Sequence, residues 1–502
     1  MSKNIESIPT LNEDWYLGID LGTGSVKVMI LDNDFNILQI SSGKYAQESI
    51  MSEQDADMIL DTMIKTVQEA IKNAQVNREK CAAMSMGCAL HGVMAVDQQG
   101  KPLTGLYTWA DGRAEKQARR IKEEGLLQEI YTRTGCPIHG MYWPYKIMWI
   151  RENHPEIYSK CSKFVSIKSY ILERFLGDYV CDYPVAAGGG FLNVETLLWD
   201  EMILELAGIG SSHLPALVSP AKKYDHISAS MAKALGVGQK SMMIIGGSDA
   251  LNSSLGAGAF DAATATCMVG TSGALRIISE KPLIDPLSRS WCYAIDQEQY
   301  LVGGAINNGG IALMWLKQMT AGTKLEDYSE AELVSLAQEA EGEMGDLICL
   351  PYFAGERSPN WNLSAKATFF GLTMDHNIRH MSLAVLQGIG FRLYQLLEIL
   401  GQIQDDIQQI RISGGITKSE YWMQLVCDIL GTALQVPECG ETSVLGSAMW
   451  AWKGAGRITD FTEFQDYIKV EKTYQPDRQK HADHMQNFIR FKELYAALQR
   501  FY

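Results

Sequence analysis

Asp20-Leu21-Gly22-Thr23-Gly24-Ser25-Val26-Lys27 brings a carboxylate, two hydroxyls and an ammonium together around a glycine turn, between the apolar runs Tyr16 to Ile19 and Val28 to Leu31. A tight turn of this composition leaves backbone N–H groups and Ser/Thr donors facing one point, which is what a phosphate needs. The carboxylate adds an oxygen ligand of the kind a hard divalent cation prefers. Taken alone the turn is equally good hairpin chemistry. It is echoed at Gly270-Thr271-Ser272-Gly273, where Gly22 falls on Gly270 and Thr23 on Thr271, with apolar runs on both sides. Asp20 corresponds to Met268. Two phosphate clamps are therefore expected, of which only the first also holds a metal.

Three further segments carry chemistry to the end of an apolar run. Cys81 to Met86 leads through Gly87 to Leu90-His91-Gly92, so a strand delivers His91 to a loop edge. Met242 to Ile245 ends in Gly246-Gly247-Ser248-Asp249, a buried strand presenting a carboxylate. Ile410 to Ile412 passes through Ser413-Gly414-Gly415 into a helix expected from near Ser419 to Leu430. That corner suits a nucleotide at a helix N-terminus, and it equally suits an ordinary connection with Ser419 as N-cap. His376 and His380 share a helical face, but the glutamate of a zinc-protease motif is missing. They are expected at the start of a long core helix through Leu400, patterned by Leu383, Leu386, Ile389, Leu393, Leu396 and Leu397.

The elements that must position these residues fit a chain of 502 residues that is 46% hydrophobic and 21% charged, long enough for two or more cores. The opening hairpin continues into a third strand over Ile37 to Tyr45 and a helix from about Asp55 to Asn73. Ala114 to Tyr183 is mainly helical, and Gly246 to Gly258 is the expected hinge between two halves. A net charge of -15 without a Lys/Arg run disfavours nucleic acid, so an anionic substrate must be captured locally. The ten cysteines lack metal-ligand spacing and mostly lie in apolar runs, as reduced, buried thiols. Met1 to Asp14 lacks the pattern of a secretory signal, and no stretch stays apolar for the roughly 18 residues of a membrane span. A cytoplasmic protein with no membrane partner is expected, and a homo-oligomer remains compatible with the sequence.

The chain resembles the FGGY carbohydrate kinases from Tyr16 to about Gly456. The motifs that carry the resemblance, in order, are Asp20 to Lys27, Leu90-His91-Gly92, Thr108-Trp109-Ala110-Asp111, Gly247-Ser248-Asp249, Val269-Gly270-Thr271-Ser272, Gly303-Gly304-Ala305 to Gly310, Gly355-Glu356-Arg357, and Gly414-Gly415 with Asp428-Ile429-Leu430-Gly431. The resemblance implies an α/β fold of two actin-like (ribonuclease H-like) ATPase domains with an interdomain cleft, using ATP and Mg2+. The domains are expected at residues 15–250 and 251–456, with a helical extension over 457–502. It implies Asp249 as general base and Asp20 as the residue orienting magnesium. Thr23, Gly24, Ser25 and Lys27 would hold the transferring phosphate, and Gly270, Thr271, Ser272, Gly310, Gly415 and Ser419 the nucleotide. Leu90, His91, Trp109, Asp111 and Ala250 would line the sugar pocket. Trp109-Ala110-Asp111 and Gly355 to Asn362 are most similar to the gluconate kinase branch, with xylulose kinases second because they carry Asn where Ala250 stands. Glycerol kinases show Arg-Glu in place of Leu90-His91 and a substrate-contacting Tyr at Met141, beside Tyr142 here. A small sugar acid is thus the expected substrate, with Arg113, Lys146 and His91 as candidates for its carboxylate.

Overall fold

The computed structural model describes residues 12–45, 51–320, 328–404 and 407–502. The amino-terminal segment read for a secretory signal lies, through residue 11, outside them. Each of the two glycine turns closes an antiparallel hairpin: Trp15–Leu21 with Ser25–Leu31, and Thr264–Val269 with Gly273–Ser279. Strands form here because Trp15–Leu21 and Gly273–Ser279 are mostly apolar, Asp20, Arg276 and Ser279 aside, and are buried on both faces.

In the first unit the hairpin belongs to a six-stranded mixed sheet. Its order is Lys223–Tyr224, Met242–Ile244, Cys81–Cys88, Trp15–Leu21, Ser25–Leu31, Ile37–Lys44. Trp15–Leu21 runs parallel to Cys81–Cys88, which runs parallel to Met242–Ile244. Their carboxyl ends therefore share one edge of the sheet, the side on which parallel α/β sheets bind ligands. The Gly22 turn, the His91 loop and the Gly246–Asp249 loop all leave from that edge.

The helix Ala56–Ala74 covers one face. Asp55 caps it by accepting from Asp57 N and Met58 N, and Ile59, Met63, Val67 and Ile71 are buried. Asp249–Gly256 packs against Thr442–Gly454 so closely that a side chain on Gly256 or Gly446 would place its Cβ 2.0 Å from a backbone oxygen, of Thr442 and Asn252 respectively. Such an approach needs glycine on both helices.

The second unit contains a seven-stranded sheet in which Gly273–Ser279, Thr264–Val269, Gln409–Ser413, Leu434–Pro437 and Val470–Tyr474 follow one another. Thr264–Val269 is again parallel to the next inner strand, Gln409–Ser413. The helix Ile378–Ile403 is long and apolar enough to cross a membrane, yet 78% of its most apolar stretch is buried inside the protein. It is the core helix expected from its leucine pattern. His380 lies in its first turn, while His376 precedes the helix and pairs edge-on with His380 at 5.2 Å.

The two compact units are not contiguous in sequence. The first comprises 1–256, 292–300 and 441–467; the second comprises 257–291, 301–440 and 468–502. The helix Thr442–Gly454 is not part of the second unit: it joins the first because its small residues pack on Trp15–Leu21, with Ala448 N 2.5 Å from where a Gly18 Cβ would stand. Nor is the carboxyl-terminal extension purely helical. Val470–Tyr474 adds an edge strand antiparallel to Leu434–Pro437 before the helix Arg478–Leu498.

Candidate active site

The first turn is braced from three sides. Gly22 N donates to Ser25 O at 3.0 Å and Tyr45 N to Gly24 O at 3.3 Å, while the Tyr45 hydroxyl donates to Gly22 O at 2.9 Å. Gln54 Nε2 donates to Thr23 O at 2.5 Å, and the Trp109 indole N–H to Thr23 Oγ1 at 3.0 Å. Every brace takes a carbonyl or a side-chain oxygen, so the turn is shaped without consuming the Thr23 and Ser25 N–H groups. Lys27 stands across the ladder from Asp20 and forms an ion pair with Glu441, which caps the approach to Thr442–Gly454.

Asp20 is 7% exposed, and burial pushes its carboxyl up to about 7, with the charge of Asp249 next in importance. Ser443, Lys27 and Glu441 act on it as well, Ser443 and Lys27 favouring the charged form. Its Oδ1 is buried without a hydrogen-bond partner among the described residues. Gly87 lies beside this carboxylate: a Cβ there would be in ordinary contact with Asp20 Oδ1 at 3.6 Å but would crowd Asn252 Nδ2 at 2.5 Å. An Mg2+ ion fits this donor: an orphaned buried oxygen gains a ligand, and positive charge offsets the repulsion between the two aspartates. Among the described residues no group of three or more His, Cys, Asp and Glu could chelate an ion. Mg2+ does not require one, since it keeps several waters and binds through one or two carboxylates.

Asp249 opens the helix Asp249–Gly256, directly after the loop that leaves Met242–Ile244. The N–H of Ala250 donates to its Oδ1 at 2.8 Å, which fixes the carboxylate rotamer. The loop is confined by glycine: Gly246 has φ +73°, and a Cβ there would stand 2.3 Å from Ser85 Oγ. This close approach holds the loop against Cys81–Cys88.

His91 carries φ 68°, an uncommon left-handed conformation for a non-glycine residue and a recurrent feature of functional sites. Its Nδ1 donates to Gly188 O at 2.6 Å, which in the neutral ring leaves Nε2 as acceptor. The ring meets Tyr142 and Tyr293 edge-on at 5.3 and 6.2 Å, and the hydroxyls of those tyrosines bond each other at 2.9 Å. Leu90 packs onto Gly188, where a Cβ would approach its Cδ2 to 2.6 Å. Leu90, Thr23, Thr108 and Trp109 line one small cavity, so the acceptor-side motifs and the phosphate turn share a wall.

Of the groups considered for a substrate carboxylate, two are occupied by the protein. Arg113 Nε donates to Asp111 Oδ2 and its Nη2 to Glu53 Oε2, both at 2.6 Å, with the guanidinium 3.7 Å above the Tyr107 ring. Arg113 N takes the other Asp111 oxygen at 2.9 Å, so Asp111 is committed to shaping its own loop. Lys146 is fully buried and donates to His91 O, Tyr107 O and Thr108 O at 2.9, 3.1 and 2.7 Å. All three ammonium protons are thus spent in tying the His91 loop to the loop that carries Trp109.

In the second unit the helix Ile311–Thr320 rests its start on the second turn. Gly309 N donates to Thr271 O at 3.1 Å, Gly310 N to Gly270 O at 2.7 Å and Ile311 N to Thr271 O at 3.2 Å. A Cβ on Gly309 would meet Gly270 O at 2.7 Å and Ser272 O at 2.8 Å. A Cβ on Gly414, which has φ +96°, would clash with Val269 O at 2.5 Å, whereas one on Gly415 would stand 3.9 Å from the same oxygen, in ordinary contact. Gly270 to Ser272, Gly310 and Gly415 therefore cluster at the carboxyl ends of parallel strands. Ser419 caps Glu420–Leu430 by accepting from Trp422 N at 3.3 Å, so its side chain has a structural task there.

Sequence reasoning missed Glu441 and Ser443 beside Asp20, Tyr45 and Gln54 behind the turn, and Tyr293 beside His91. No local signal marks them, since each acts across a long stretch of chain. The N-terminal domain of the FGGY family of carbohydrate kinases matches residues 15–256, and the C-terminal domain matches 265–455. Among curated proteins the chain is similar to the gluconokinase of Bacillus subtilis (strain 168), 36% identical over 464 residues and covering 90% of each chain. Among solved structures it is similar to a gluconate kinase from Lactobacillus acidophilus, with a TM-score of 0.91 at 31% identity over 97% of this chain and 98% of the other. A ligand-bound xylulose kinase from Lactobacillus acidophilus matches with the same TM-score, identity and coverage. The chain belongs to the FGGY family of carbohydrate kinases.

Proposed function

We propose that this kinase transfers the γ-phosphoryl group of ATP to the primary hydroxyl of D-gluconate, giving 6-phosphogluconate and ADP. The observation that carries the reading is the carboxylate pair at one sheet edge, Asp20 and Asp249, beside a phosphate-type turn and the His91 loop. Gluconate is favoured because the gluconokinase of Bacillus subtilis is 36% identical across nearly the whole chain.

Asp249 accepts the proton of the attacking hydroxyl as its oxygen bonds to the γ-phosphorus and the β–γ bridging oxygen departs with ADP. Thr23, Gly24 and Ser25 bind the transferring phosphoryl group, and Lys27 supplies positive charge there while Glu441 keeps it in place. Asp20 would hold Mg2+, which neutralises phosphate charge when bound. Gly270, Thr271 and Ser272 carry the nucleotide phosphates, with Gly310 and Gly415 leaving room for close approach. His91, Leu90 and Trp109 orient the acceptor, and Asp111 and Ala250 act through the backbone they hold.

D-Xylulose is the second reading, because the xylulose kinase from Lactobacillus acidophilus is as similar in structure as the gluconate kinase. ADP release measured with D-gluconate, D-xylulose, L-ribulose, glycerol and L-fuculose separates the two. The highest kcat/KM is expected with gluconate; a higher value with xylulose overturns the substrate assignment, and ADP release at full rate without any acceptor overturns the kinase reading.

A further inference from the structure

Lys168 stands outside every motif discussed above. It lies on the helix Ile167–Leu176 and is 1% exposed, with its ammonium 2.8 Å from Asp182 Oδ2. The same nitrogen donates to Gly246 O at 2.9 Å and Gly247 O at 3.0 Å, so one ion pair and two hydrogen bonds converge on it. Those carbonyls belong to the two residues that set the entry into Ser248 and Asp249. On its other side Asp182 is itself 1% exposed, and its Oδ1 accepts from Val185 N at 3.1 Å, capping the helix Tyr183–Gly189. Gly188 lies in the last turn of that helix, and its carbonyl receives the His91 Nδ1 bond. The Cys88 thiol, fully buried between them, is acted on by the charges of Lys168, Asp182, Asp249 and Asp20 together.

We infer that Lys168, held by Asp182, is a positioning residue that sets the base Asp249 and the acceptor-reading His91 against one common reference. The chain of contacts runs from Asp249 through the Gly246–Gly247 carbonyls to Lys168, then through Asp182 and the Tyr183–Gly189 helix to Gly188 and His91. Only its two ends, Asp249 and His91, carry a role in the proposed reaction. A long flexible ammonium suits the task, because it reaches three oxygens on two segments, whereas a planar guanidinium is matched to a bidentate partner. This inference rests on the reading of Asp249 as base. Misplacement of a reacting group by about 1 Å lowers turnover on the order of a hundredfold.

Lys168→Met strands a buried carboxylate and is expected to lower stability, so the decisive variant is the double change Lys168→Met, Asp182→Leu, which removes both charges. The expected result is a folded enzyme, by circular dichroism and a cooperative melt, with kcat down about a hundredfold. Its acceptor KM should rise at least fivefold while its KM for ATP stays within twofold. Restoring the lysine alone, as Asp182→Asn with Lys168 present, should recover most of the turnover, since Asn still caps the helix. The inference is overturned if the folded double variant keeps kcat within threefold of the parent, or if both KM values rise together, the mark of general loosening. Asp249→Asn, measured in parallel, separates the two readings: turnover retained there removes the base, whereas a dead Asp249→Asn beside an active double variant removes only the role of Lys168.

Discussion

Replacing Asp20 by Asn removes a charge whose cost the structure sets. The Asp20 carboxyl is pushed up from 3.8 to about 7, first by burial and then by Asp249. In the unfolded chain an aspartate ionises near pH 4, so between that pH and about 7 the native state holds a proton that the unfolded state has lost. Stability then falls as pH rises across that window, by about 1.4 kcal/mol per pH unit, and levels off above it. From pH 5 to pH 8 the parent should lose about 3 kcal/mol through this group alone. Asp20→Asn has no such slope, and the titrating groups that do not act on Asp20 cancel in the difference between the two proteins. For the first unit 1 kcal/mol moves Tm by roughly 1–2 °C, so the gap in Tm should widen by about 3–6 °C in favour of the variant. Melts of metal-free protein in chelator at pH 5, 6, 7 and 8 read this directly. Mg2+ with ADP should then raise the parent's Tm more at pH 8 than at pH 5, since only the ionised carboxylate offers a ligand, and should raise the variant's much less. Residual kinase activity of the variant should need more magnesium. Parallel melting curves across the pH range, or a variant less stable than the parent at pH 8, would refute the reasoning.

Asp249→Asn should lower kcat by about 10²–10⁴ while leaving the dissociation constant for ATP within twofold, measured by titration calorimetry; near-parental turnover refutes its role as base. Gly309→Ala puts a methyl carbon 2.7 Å from Gly270 O, so the second turn must shift. The KM for ATP should rise at least tenfold, with the acceptor KM unchanged. Trp109→Phe loses the 3.0 Å bond to Thr23 Oγ1, worth about 1 kcal/mol, and should lower kcat/KM for the acceptor about fivefold. An unchanged value means that the bond does not persist in the working enzyme.

The parts of the fold that were legible in the sequence are those written in local period. The opening hairpin, the third strand from Ile37 and the helix anticipated from Asp55 to Asn73 follow from alternation and from a 3.6-residue apolar stripe, and the helix is found at Ala56–Ala74 with Asp55 as its cap. The delivery of Asp249 by a short strand was legible too, because a run of apolar residues ending in two glycines has few other uses. What escaped is what tertiary contact decides. Asp111 reads as a free carboxylate until Arg113 occupies both of its oxygens, and Lys146 reads as a free cation until three carbonyls surround it. Glu441 neutralises Lys27 across 414 residues of chain, and residues 441–467 rejoin the first unit, neither of which leaves a local trace.

The two hairpins show how the same local geometry is charged for different ends. In the first, Leu21 pairs with Val26 and Asp20 with Lys27; in the second, Val269 pairs with Gly273 and Met268 with Ala274. Counting inward from these last pairs, the first turn holds four residues, 22–25, and the second three, 270–272. The second copy therefore lacks the carboxylate, lacks its cross-strand lysine and is one residue tighter. A buried, partnerless carboxylate oxygen facing another aspartate is a standing cost to the folded state, and a methionine in its place carries none. If phosphate binding were the only task of both turns, the neutral version would serve twice, and Asp20 would add only instability. Its retention beside Lys27, Glu441 and Asp249 makes sense when a divalent cation arrives with the nucleotide and turns the repulsion into attraction. The pH slope of stability and the magnesium dependence are thus one property of one carboxylate, and a variant that loses the first must lose the second.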